Sequence, residues 1–241
     1  RASFGSLGNQ NVSNYAYLRT ISLNPFKAFA FGSGLAQYAT LSAPNASDLT
    51  WETATQYNVG VDAGLFKDRL QFTGEGYIRD TKGMLTEGVA LPGIYGADSP
   101  KMNAANLRTT GYELSISWRD QFNLAGKPFG YSVRATLSDF KTVITKYDNP
   151  EKSFAKDYYV GMELGEIWGY EVDGLFQSDA EAAEYQKLVD LSYLKSGASD
   201  QQWAAGDVKY VDLDGDGKIG IGANTVEDPG DRKILGNSIA S

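Results

Sequence analysis

Residues 55–66 read TQYNVGVDAGLF, and the side on which each residue falls decides the fold. Tyr57, Val59, Val61, Ala63 and Leu65 share one face of an extended chain, while Gln56, Asn58, Gly60, Asp62 and Gly64 share the other. A strict period of two sustained over this length predicts a long strand, because successive side chains of extended backbone point to opposite sides. After the short break KDR at 67–69 the alternation resumes. Leu70, Phe72, Gly74, Gly76 and Ile78 now oppose Gln71, Thr73, Glu75, Tyr77 and Arg79, so the pair reads as a β-hairpin.

A second pair follows the same rule. Tyr112, Leu114, Ile116 and Trp118 alternate with Glu113, Ser115, Ser117 and Arg119; after DQFNLAGKP (120–128), Phe129, Tyr131, Val133, Ala135 and Leu137 alternate with Ser132, Arg134, Thr136 and Ser138. The segment 81–109 between the hairpins is rich in Gly, Pro and Asn and reads as a long loop. Short breaks thus alternate with long ones. Residues 7–50 carry short apolar runs such as KAFAFG, which suit either strand or packed loop. From 148 onward the alternation stops, and the chain is read as two regions: 1–147 with strands and hairpins, and 148–241 as one long excursion. That excursion holds a predicted helix at SDAEAAEYQKLVD, capped by Ser178 or Asp179.

Composition narrows the chemistry. The 241 residues include no cysteine and no histidine, which removes disulfides, thiolate zinc sites, the Ser-His-Asp triad and the commonest general base near neutral pH. A net charge of −8 argues against nucleic acid as a partner. No run approaches the roughly 20 apolar residues of a membrane-spanning helix, but a barrel strand needs only about 9–11 alternating residues.

The alternating strands suit either a transmembrane β-barrel or a secreted β-sandwich. Three features favour the barrel. The strands are long against a soluble mode of about 5–6 residues. Aromatics stand near the ends of the apolar faces, as with Tyr112 and Trp118, roughly 20 Å apart at about 3.3 Å per residue. The charges Asp62, Glu75, Arg79, Glu113, Arg119 and Arg134 all fall on the polar faces, leaving the apolar faces to membrane lipid. The sandwich, a calcium-stabilised module that binds carbohydrate, remains the alternative.

Several segments, taken in order, resemble one family. LTWETATQYNVGVDAGLFKDRL, YIRDTKGML, NLRTTGYELSISW, GEIWGYEVDGLFQS, GDVKYVDLDGDGKI and DRKILGNS, with the opening RASFGSLGNQNVSNYAY, look like successive parts of the SusC/RagA-type TonB-dependent transporters of the Bacteroidetes outer membrane. The resemblance implies an all-β fold: part of a transmembrane antiparallel barrel of about 22 strands with long extracellular loops. It implies import of glycans or oligopeptides with energy from TonB, a SusD-like surface lipoprotein as lid partner, and no bond-making chemistry. The family's plug and TonB-contacting parts find no match here, so the chain is expected to be a piece of the barrel region. By the family's rule, the breaks KDR and DQFNLAGKP face the periplasm, while 80–109 and 148–241 face outside.

One motif bears on cofactors. In DVKYVDLDGDGKI (207–219), Asp212, Asp214, Asp216 and Gly217 occupy positions one, three, five and six of an EF-hand-type calcium loop, and Lys218 supplies a carbonyl at seven. Position twelve is Ala223, so the usual bidentate acid is missing. The resemblance points instead to the Asp231–Arg232 pair, with Asp231 as the added ligand and Asp228 or Glu227 behind it. The expected cofactor is a structural Ca²⁺ or Mg²⁺; the competing reading is an Asp/Gly turn with solvated charges.

The aromatics Tyr158, Tyr159, Trp168, Tyr170 and Phe176 are candidates for contact with cargo or lid partner, or for packing the excursion against itself, which is the favoured reading. Glu163 and Glu166 are the acid pair a glycosidase would need, but nothing in their spacing selects them, and solvated charge is the better reading.

Overall fold

The computed structural model describes residues 1–9, 18–31, 34–44, 49–88, 91–96, 99–194 and 202–239. Residues 10–17 of the opening segment and Gly32 of the KAFAFG run lie outside them. The chain divides into two compact units, Arg1–Asp148 and Asn149–Ser241.

Among the described residues the first unit is built of strands, with one short 3-10 turn at Gly93–Tyr95. In chain order it holds β1 (Ala2–Asn9), β2 (Ile21–Phe31), β3 (Gly34–Leu41), β4 (Glu52–Leu65), β5 (Leu70–Glu87), β6 (Lys101–Leu124) and β7 (Lys127–Lys146). Five of these form one antiparallel sheet in the order β1-β4-β5-β6-β7, and β2 pairs with β3 as a separate hairpin. Strands β5 and β6, at 18 and 24 residues, far exceed the soluble mode. The connections β4–β5 and β6–β7 are tight and lie at one end of the sheet; the connections β1–β4 and β5–β6 are long and lie at the other.

Both tight turns use left-handed backbone. Ala125 and Gly126 sit at φ 52° and 76° between the paired residues Leu124 and Lys127, the signature of a type I′ hairpin turn, whose twist matches that of its strands. In the β4–β5 turn Phe66, Lys67 and Asp68 all lie at φ near 60°, an arrangement that costs each non-glycine residue about 1–2 kcal/mol.

The break DQFNLAGKP is mostly strand: Asp120 to Leu124 pair with Tyr131 to Lys127, and only Ala125–Gly126 turn. The segment 81–109 is not one long loop, because β5 runs to Glu87 and β6 begins at Lys101. Polar side chains carry the ladder across a bulge there. Asn106 accepts from Gly83 N at 3.0 Å, Glu52 accepts from Leu85 N at 3.4 Å, and Asn103 donates to the Gly83 carbonyl at 2.5 Å. Asn and Gly, which mark loops by composition, here replace ladder bonds at an irregularity.

The second unit has a small core of its own. Strand β8 (Glu166–Tyr170) pairs with β11 (Arg232–Asn237), and β9 (Val172–Leu175) with β10 (Val208–Tyr210), around helix α1 (Asp179–Leu188). Ser178 is the helix N-cap and accepts from Glu181 N at 3.1 Å, while Glu181 accepts from Gln177 N at 2.8 Å. Phe176, Ala182, Val189, Leu191 and Ile219 are buried together, with Tyr170, Tyr185, Leu194, Trp203 and Tyr210 packed around them. Burial of each large apolar member contributes about 1.5–3 kcal/mol.

Candidate functional site

Register turns the alternation of single strands into two faces of one wall. Val61, Gly74, Leu114 and Leu137 lie side by side across four strands; the next rungs are Ala63, Phe72, Ile116, Ala135 and then Leu65, Leu70, Trp118, Val133. None of these is charged. Charge first appears at Asp139, beside Tyr112, and at Asp120, beside Tyr131. At about 3.3 Å per residue the interval from Tyr112 to Asp120 is roughly 26 Å along the strand, comparable to the apolar band of an outer-membrane barrel. The face is open: Val59, Val61 and Ile116 are 66%, 61% and 45% exposed. The alternative sandwich requires a second sheet packed on this face, and among the described residues nothing closes it.

Over the central rungs the opposite face is polar. Asp62, Thr73, Ser115 and Thr136 form one rung, and Gly60, Glu75, Glu113 and Ser138 the next. Glu75 stands directly across from Glu113, a like-charge pair that destabilises unless compensated. Arg1 reaches Glu75 at 2.7 Å and Asp62 at 3.4 Å, and Thr73 donates to Asp62 at 3.0 Å. Arg79, Arg119 and Arg134 fall on this face as expected from the alternation. The loop reading of 81–109 hid a two-point pair on the other face, beyond the Tyr112 level: Arg108 holds both oxygens of Asp80, at 2.7 and 2.9 Å. Continued alternation through Asp80 and Arg108 was the signal for it.

In the second unit the aspartate loop is drawn tight by its own backbone. Asp212 accepts from Gly215 N at 2.7 Å and Gly217 N at 2.9 Å, Asp214 accepts from Asp216 N at 3.1 Å, and Asp216 accepts from Lys218 N at 2.9 Å. These turns bring ligand atoms of Asp212, Asp214 and Asp216 within 4.8 Å of one another. Ile219, next in the loop, is buried in the unit's core, and its N–H donates to the Asp190 carbonyl at 2.8 Å.

Asp231 is not part of that trio. It is 1% exposed, and its two oxygens accept from Leu213 N and Gly220 N, both at 2.7 Å, so it clamps the two sides of the loop together. Lys218 turns its ammonium onto Asp216 at 3.1 Å, which lowers the Asp216 pKa and raises its own. At Asp214 the N–H of Asp216 pulls the pKa down, but desolvation and the carboxylates of Asp231, Asp216 and Asp212 outweigh it and push the pKa above the usual range. The three converging carboxylates form an oxygen donor set that suits a hard divalent cation.

The aromatics are tied into the unit. Tyr159 is buried and donates to Glu166, which also accepts from Trp168 Nε1 at 3.1 Å and Glu163 N at 2.8 Å. Burial, and then the bond to Glu166, raise the Tyr159 pKa well above its ordinary value. Phe154 stacks on Trp168 at 4.8 Å, and the Arg232 guanidinium lies over the Phe154 ring at 4.6 Å. Tyr170 packs against Tyr210 at 5.8 Å, whereas Tyr158 is 39% exposed. Glu166 thus holds three donors, one of them the backbone N–H of Glu163.

A family model described as TonB dependent receptor-like, beta-barrel, matches residues 4–228. The chain belongs to this family. Its members are outer-membrane β-barrels, and the charge-free band across one face of the sheet fits such a wall. Among curated relatives, the TonB-dependent receptor P3 of Formosa agariphila is 28% identical over 98% of this chain and 22% of its own length. The TonB-dependent receptor SusC of Bacteroides thetaiotaomicron is 26% identical over 92% of this chain and 21% of its own. Among solved structures, the RagAB peptide importer in its closed-closed state matches with a TM-score of 0.59 and 25% identity, covering 73% of this chain and 19% of that one. The chain therefore spans about a fifth of the length of the relatives it matches.

Proposed function

We propose that this chain is part of the wall of a SusC/RagA-type importer that draws glycans or oligopeptides across the outer membrane with energy from TonB, alongside a SusD-like surface lipoprotein. One observation carries the reading: a five-stranded antiparallel sheet whose apolar face bears no charge over three rungs and stays uncovered. Such a face needs an apolar surrounding, which membrane lipid supplies to a barrel wall, and the polar residues behind it suit an aqueous or plugged lumen. The tight turns then face the periplasm, and the long connections and the second unit face outside. The residues described carry no catalytic role in this reading; the polar face guides cargo or contacts a plug. The name of the RagAB relative favours oligopeptides among the two cargo classes.

Disrupting the gene for this chain and following uptake of labelled oligopeptides and oligosaccharides tests the assignment. Loss of uptake of one class, reproduced by a protonophore, is the expected result. Unchanged uptake of both by the disrupted strain contradicts it.

We also propose that Asp212, Asp214 and Asp216, with the Lys218 carbonyl, hold one structural Ca²⁺ or Mg²⁺, and that Asp231 supports the loop from beneath. The crowding of three carboxylates supports the reading. The cation would neutralise their repulsion and lock the loop over Ile219.

A further inference from the structure

Towards the end of the sheet that carries the long connections, the polar face holds a cavity of about 560 Å³. All of its lining residues but Phe4 belong to that face, where β1, β4 and β5 set Leu7, Ala54 and Thr81 on one rung and Gly5, Gln56 and Arg79 on the next. Arg79 is exposed and donates through Nε to Gln56 at 2.9 Å, which orients the guanidinium and leaves its outer nitrogens unengaged among the described residues. Its rung continues through Thr109 and Thr142 without an acid. The acid of the lining is Glu52, four residues before Gln56 on the same face of β4. Glu52 accepts from Asn9 Nδ2 at 3.1 Å through one oxygen and from Leu85 N at 3.4 Å through the other, so each oxygen keeps a lone pair for a further donor.

The cavity therefore has a cationic and an anionic pole about 13 Å apart, at roughly 3.3 Å per residue of strand. Between them the floor is open: Gly5 has nothing within 4 Å of where a Cβ would stand, and Leu7 is 76% exposed. We propose that this is a cargo subsite for a short oligopeptide with both ends free, lying along β4 with its C-terminal carboxylate on Arg79 and its N-terminal ammonium on Glu52. An extended chain spans at most about 3.3–3.6 Å per residue, so about four residues reach from pole to pole. The planar fork of an arginine matches the two oxygens of a carboxylate, and hydrogen bonds between charged groups are the stronger kind. A neutral oligosaccharide offers neither charge. The inference rests on the importer reading and narrows its cargo to peptides.

The test is isothermal titration calorimetry of the detergent-purified full-length protein with tetra-alanine, its C-terminal amide, its N-acetyl form and maltotetraose. Tetra-alanine should bind, either cap should weaken it about tenfold, and maltotetraose should not compete. In Arg79→Gln the free peptide should lose the same factor while the amide loses nothing further, and Glu52→Gln should behave likewise toward the acetylated peptide. Lys127→Gln, at the start of β7 and the other end of the sheet, should leave binding unchanged. The capped peptides probe the wild type, so a variant that fails to fold does not remove the test. Equal binding of free and capped peptides, no binding of tetra-alanine, or competition by maltotetraose overturns the subsite. Those outcomes leave the importer reading standing; it fails separately if the gene-disrupted strain takes up both cargo classes unchanged.

Discussion

Replacing Ile116 by arginine places a charge at the middle of the apolar band. Its rung holds Ala63, Phe72 and Ala135, with Leu114 above and Trp118 below. Tyr112 and Asp120 each lie four residues away, about 13 Å along the strand at roughly 3.3 Å per residue. An arginine side chain covers only part of that distance, so its guanidinium remains in hydrocarbon. The expected cost is about 2–4 kcal/mol for a lipid-facing midplane arginine, which shifts the folding equilibrium roughly 30- to 700-fold. The neighbour Ser115 faces the polar side, where arginine should change stability by no more than about 0.5 kcal/mol. Folding into lipid vesicles across a denaturant series, followed by heat-modifiable gel mobility, measures both variants. Equal tolerance of Ile116→Arg and Ser115→Arg would refute the assignment of faces.

The remaining predictions concern the second unit. Asp231→Ala leaves the Leu213 and Gly220 amides without their acceptor and should cost about 3 kcal/mol, read as loss of hydrogen-exchange protection at those two amides; unchanged protection contradicts the clamp. Because the Tyr159 pKa is raised in the folded state, its contribution is complete below the ordinary tyrosine pKa of about 10 and is lost as pH climbs through the folded value. Tyr159→Phe should therefore flatten the alkaline limb of an unfolding-versus-pH curve, and an unaltered limb would show that another group sets it. Millimolar calcium should raise the unfolding temperature of the wild type, chelation should lower it, and Asp212→Asn should abolish both responses; a calcium response that survives Asp212→Asn places the ion elsewhere.

The wall was legible because its information is local. A period of two through Tyr57–Leu65 and Tyr112–Trp118 states which side chains share a face, and pairing only had to align the strands. The extent of β5 and β6 was not legible. Their continuation past Thr81 depends on Asn103, Asn106 and Glu52 supplying hydrogen bonds from other strands, and composition alone reads Asn and Gly as loop. The aspartate spacing predicted the convergence of Asp212, Asp214 and Asp216, since each caps the turn that follows it. It could not predict that Asp231 would spend both oxygens on the loop's backbone, because that depends on how a distant strand packs beneath it. The same holds for Glu166, whose three donors come from residues before and after it in sequence.

On the barrel-wall reading, Leu114 and Ile116 face lipid while Glu113, Ser115 and Ser117 face water. The chain contains no cysteine, so single cysteines can be placed at each of these five positions in turn. Labelling by a membrane-impermeant maleimide in intact and permeabilised outer membranes should alternate, strong at 113, 115 and 117 and weak at 114 and 116, with a lipid-phase quencher showing the inverse pattern. Uniform labelling along the strand, or strong labelling at 114 and 116, would contradict it.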